Sequence, residues 1–115
     1  MGRPPSLKKN TLLQFIQATL EKSKAHNIVT LDVRSLTQSF DAMVVATGTS
    51  TRHTQSIAQK LVGAVKKKGI QPYGVEGDQL GEWILIDFSD VIVHVMLESQ
   101  RQHYLLEKLW AVKKK

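Results

Sequence analysis

The chain has no cysteine among its 115 residues. That excludes disulfides, thiolate nucleophiles and cysteine-held metals together, and it fits a reducing compartment. Long apolar runs are missing too. None approaches the roughly 20 residues that a membrane-spanning helix needs. The N-terminal MGRPPSLKKN leads into an amphipathic pattern and not into a signal-peptide core. These absences read as a soluble, cytoplasmic protein with no membrane partner. The four histidines, His26, His53, His94 and His103, are dispersed, with no paired ligand spacing. No metal and no cofactor are therefore expected.

What is present is enough for one domain with one core. The formal net charge is +6, from 16 basic and 10 acidic residues. Three basic residues precede Asn10 (Arg3, Lys8, Lys9) and three end the chain (Lys113, Lys114, Lys115). The body between them is balanced. Residues 1–10 thus read as a mobile basic tail, 11–112 as the folded domain and 113–115 as a second basic tail. Such tails can add salt-sensitive contacts to RNA phosphates.

The stretch around which the rest is organised is Met43–His53, MVVATGTSTRH. Its apolar run has almost no polar alternation, which predicts a strand covered on both faces. Gly48 makes the turn, and Thr49, Ser50 or Thr51 can cap the helix that follows. The same turn (Gly48, Thr49, Ser50, Arg52, His53) could hold an anion against the helix N-terminus. It lacks GxxxxGK[ST] and GxGxxG, so the phosphate-site signal is weak. Ser50 and His53 are too loosely arranged to predict serine catalysis, and no acidic pair follows the turn to hold catalytic metals. No enzyme is expected.

Leu12, Ile16 and Leu20 recur at helical spacing and predict a first helix from Asn10 or Thr11 to His26–Asn27. Asn27–Val33 reads as a strand, Arg34–Asp41 as a connection anchored by Leu36, and Ala42–Thr47 as the central strand. A second helix is predicted over Thr51–Lys68, with Ile57, Leu61, Ala64 and Val65 inward and Gly69 as its stop. Lys66–Lys68 reads as a solvated helix end. Ile70–Val75 is predicted as a short strand near an edge, because of Pro72. A loop over Glu76–Gly81 leads to the strand Glu82–Phe88, a reversal at Ser89–Asp90, the strand Val91–Leu97 and a third helix over Ser99–Val112. The fold class is α/β, a single domain with one mixed sheet of about five strands flanked by helices.

The last hairpin is the most informative surface. Alternation puts Ile84, Ile86 and Phe88 on one apolar face and Trp83, Leu85 and Asp87 on a mixed one. Ile92, His94 and Met96 share that mixed face from the next strand. Glu76, Asp78, Glu82, Asp87 and Asp90 place half of the acids within fifteen residues. A tryptophan among acids suits a basic protein partner, or it merely caps the edge of the sheet.

The motifs Asp32-Val33-Arg34, VVATGTS (Val44–Ser50) with Arg52-His53, Gly74-Val75-Glu76-Gly77, Glu82-Trp83-Ile84 and Asp90–Val95 occur in order. Tyr104-x-Leu106-Glu107-x-Leu109-Trp110 completes the set. The chain resembles the ribosomal silencing factor family (RsfS, Iojap-like) over about residues 11–111. The resemblance implies an α/β domain with nucleotidyltransferase-like topology and no enzyme activity. It also implies binding to the large ribosomal subunit through its ribosomal protein fourteen, which blocks association with the small subunit and represses translation. On this resemblance Trp83 and Asp87 belong to the partner contact, with Glu76, Glu82, Asp90, His94 and Met96 as further members. A homodimer is compatible with it. The alternative is a non-catalytic nucleotide- or RNA-binding protein that uses the Gly48–His53 turn and the basic tails.

Overall fold

A computed structural model describes residues 9–104. The elements are α1 (Lys9–Lys22), β1 (His26–Asp32), β2 (Ala42–Gly48), α2 (Thr51–Lys67), β3 (Gly74–Glu76), β4 (Trp83–Asp87), β5 (Val91–Leu97) and α3 (Glu98–Tyr104). Five strands form one mixed sheet in the order β1-β2-β5-β4-β3. β2 and β5 run parallel at its centre, and every other pairing is antiparallel.

β2 is buried along its whole length, as its unbroken apolar run requires. Ala42, Val44 and Ala46 face α1 and α2. There they join Leu12, Ile16 and Leu20 of α1, Ile57, Leu61 and Val65 of α2, and Ile84, Ile86, Val93 and Val95 of the neighbouring strands. The two helices run antiparallel on this face, since Lys68 sits over the Phe15 ring at 5.2 Å while His53 bonds to Ser23 at the other end. Burying such side chains contributes roughly 1.5–3 kcal/mol each. The opposite face has a smaller cluster of Val33, Met43, Val45 and Met96, with Leu31, Leu36, Phe40 and Trp83 packed at its margin.

Several boundaries move from the expected ones. α1 opens at Lys9, inside the expected tail, and closes at Lys22, where Lys24 turns left-handed (φ 64). His26 and Asn27, expected to end the helix, instead open β1, where an irregularity between His26 and Val29 accommodates Asn27 at φ 49. β3 is shorter and later than expected, because Pro72 has no N–H for the ladder and pairing begins only at Gly74. Glu76 lies in this strand and not in the following loop. Ser50 is the residue that caps α2. The apolar stripe expected on the third helix beyond Tyr104 lies outside the described residues.

Candidate partner-binding face

The register builds this face in rows. Trp83 is opposite Met96, which is opposite Thr47. Glu76 is opposite Leu85, then His94, then Val45. Asp87 is opposite Ile92, then Met43. The side chains of each row project to the side away from α1 and α2.

Among the described residues, the cover on this face is uneven. Leu36 and Phe40, from the connection between β1 and β2, pack against the β1–β2 end. Arg101 of α3 donates from Nη1 to Thr47 Oγ1 at 2.7 Å and closes the Gly48 end. Toward β4, Trp83, Leu85, Asp87 and Ile92 are half-buried. This open half is what a partner would meet.

The indole is held in place. Trp83 Nε1–H donates to His94 Nδ1 at 2.9 Å, and the two rings lie 5.8 Å apart with a 60° tilt. A ring nitrogen that accepts cannot also carry the proton, so His94 is neutral with its hydrogen on Nε2. Burial pushes the His94 pKa down to about 4, because the cation would lose its hydration. His94 and Met96 are themselves buried, Met96 completely. They support the face from beneath and offer it little surface.

The five clustered acids are divided among several positions. Glu76 and Asp87 border Leu85 on the open face. Asp87 Oδ1 also accepts from Ser89 N–H at 2.7 Å, which shapes the hairpin turn. Glu82, expected inside the strand, lies just before β4 and is exposed, with its carbonyl accepting from Leu97 N–H at 3.0 Å. Asp90 sits at the turn, where its carbonyl accepts from Asp41 N–H at 2.8 Å. Asp78 lies in the loop after β3, whose carbonyls at Asp78 and Gln79 each accept from Gln55 Nε2 at 2.9 Å. That loop also requires Gly77, which has φ +82. A Cβ there would lie 2.1 Å from the Trp83 carbonyl.

Comparison with known proteins agrees with this architecture. The family model RsfS, "Ribosomal silencing factor during starvation", matches residues 6–115. The ribosomal silencing factor RsfS of Haemophilus influenzae is 40% identical over 100 residues, covering 87% of this chain and 98% of that protein. Its counterpart in Chromobacterium violaceum is 42% identical over 95 residues, covering 83% and 78%. The chain belongs to the RsfS family. A crystal structure of a Chromobacterium violaceum protein superposes with a TM-score of 0.89 at 37% identity, covering 91% of this chain and 88% of that one.

In this RsfS domain the Gly48–His53 turn is occupied by its own groups. Ser50 Oγ accepts from His53 N–H at 3.1 Å as the helix cap. Thr49 N–H donates to His53 Nδ1 at 2.9 Å, which leaves the ring proton on Nε2 to meet the Ser23 carbonyl at 3.1 Å. His53 therefore ties the turn to the end of α1. Gly48 lets the chain pass against Thr54, whose methyl would be 2.6 Å from an added Cβ. Arg52 is exposed. The groove beside the turn counts Glu98, an acidic residue, in its lining.

Three contributors to the face are harder to read in the sequence. Leu85 and Ile92 fall on the mixed surface by alternation but carry no charge or indole to single them out. Phe40 is an aromatic inside an otherwise polar connection, and that is the local signal it offers.

Proposed function

We propose that this RsfS domain binds the large ribosomal subunit through its ribosomal protein fourteen, with the open half of the sheet as the contact. The bound chain then blocks the small subunit sterically and represses translation. The supporting observation is what the register brings together on this face. A tryptophan fixed by a buried histidine stands beside Leu85 and Ile92, with Glu76 and Asp87 at the border. Membership of the RsfS family brings a ribosome-associated silencing role, and the acids suit a basic protein surface. Trp83 buries its ring on the partner and Asp87 meets a lysine or arginine there through the oxygen that Ser89 does not use. Glu76 adds to the same border, while Glu82 and Asp90 act from its margin. No chemical step is involved, because occupancy suffices.

The test is co-sedimentation with purified large subunits. Trp83→Ala should weaken binding by at least about 30-fold, the loss of roughly 2 kcal/mol that a central aromatic anchor carries. Binding equal to that of the native chain would overturn the assignment, provided circular dichroism shows the variant folded.

A further inference from the structure

Charge in this molecule is sorted by layer. Residues 11–25 and 49–69, which carry α1, α2 and their flanks, hold seven lysines and arginines against one acid, Glu21. The sheet segments 26–48 and 70–97 hold seven acids against one arginine, Arg34, which Asp32 already binds at 2.7 Å. The near-neutral body is the sum of acid-rich strands and loops and base-rich helices, with Asp78 the acid whose loop reaches α2, through Gln55.

The basic side centres on α2, which has no acidic residue. Thr54, Ile57, Ala58, Leu61 and Val65 form its buried stripe. The opposite stripe carries Arg52, Gln59, Lys60, Lys66 and Lys67, all exposed. At 1.5 Å per residue these cations extend over roughly 22 Å. Among the described residues none of the four makes an ion pair.

Gly63 lies in the middle of this stripe. A glycine inside a helix costs about 1 kcal/mol relative to alanine. A Cβ at Gly63 would meet nothing within 4 Å, so nothing inside the molecule requires its absence. Gly63 is half-buried and borders a groove with Gln59, Lys66 and Asp78, and its bare backbone leaves room beside the cations for a group from outside.

We infer that the outer face of α2 docks on the phosphate backbone of RNA. Lysine, arginine and glutamine are the side chains that hold phosphates and sugars. A membrane surface is disfavoured, because the exposed stripe has no bulky apolar residue to insert. An acidic protein is disfavoured by the lack of an aromatic anchor on it. This face lies across the sheet from Trp83 and does not depend on the reading of that contact. It also differs from the basic tails, which apart from Lys9 and Asn10 lie outside the described residues.

The experiment is fluorescence anisotropy of a labelled short RNA duplex with the full chain across a salt titration. Lys60→Gln with Lys67→Gln should lower the salt slope by about 2, one for each lost phosphate contact. Gly63→Leu should weaken RNA binding while its melting temperature stays level or rises. Trp83→Ala should leave RNA binding unchanged, which separates this proposal from the contact on the other face. The proposal is overturned if the native chain does not bind the duplex, or if the α2 variants bind it like the native chain. It is equally overturned if neutralising Arg3, Lys8, Lys9 and Lys113–Lys115 alone removes the salt slope, or if the chain binds phosphatidylserine vesicles in preference to RNA.

Discussion

Trp83 and His94 are diagonal neighbours across the β4–β5 register, and the indole N–H of one donates to Nδ1 of the other at 2.9 Å. The bond joins a half-exposed ring to a buried one. It fixes the indole direction before any partner arrives, so less side-chain entropy is lost on binding.

The bond requires neutral His94, and this sets a pH dependence. The folded pKa is about 4 against 6.5 for the free side chain. Between those values the unfolded chain binds the proton more readily, so acidification favours unfolding. This histidine should cost no stability above about pH 7, and roughly 3 kcal/mol accumulates by about pH 4. Urea unfolding of the native chain and of His94→Gln at a series of pH values isolates the effect. The native chain should lose more stability over this interval than the variant.

Removing only the donor gives a second prediction. Trp83→Phe keeps a ring but leaves His94 Nδ1 without the indole N–H. Stability should fall by about 1–2 kcal/mol. Large-subunit binding should fall less than it does for Trp83→Ala, because most of the ring area survives.

His53 links three segments through both ring nitrogens and its backbone N–H. His53→Ala should destabilise the fold by about 1–3 kcal/mol through the donors and the acceptor it strands. Chemical denaturation measures this. Large-subunit binding by the folded fraction should stay at the native level, since the turn lies away from the open face.

Two glycine-to-alanine changes should have opposite signs. Gly77→Ala forces a Cβ onto the Trp83 carbonyl at a left-handed φ, and should cost about 2 kcal/mol or more while disturbing the indole. Gly63→Ala meets open space within a helix and should stabilise by up to about 1 kcal/mol. Thermal melts of the two variants decide both.

The sequence by itself determined the elements, because each leaves a local period. The unbroken run at Met43–Ala46 predicted a strand buried on both faces, and the spacing of Ile57, Leu61 and Val65 predicted the inner stripe of α2. Alternation in Trp83–Asp87 and Val91–Leu97 was enough to put Trp83 and His94 on one face. Boundaries were less legible, since the left-handed residues Lys24 and Asn27 that end α1 and bend β1 carry no glycine to mark them.

Only the tertiary structure decided how that face is covered. Phe40 reaches it from a connection far from Trp83 in sequence, Arg101 closes one end of it, and Met96 is withdrawn beneath it. Charge followed the same rule. A linear count balances acids against bases, whereas folding puts the base-rich α1 and α2 together on one side of the sheet. Periodicity is a property of neighbours along the chain; coverage and field depend on which distant segments are packed together, and no local pattern encodes that.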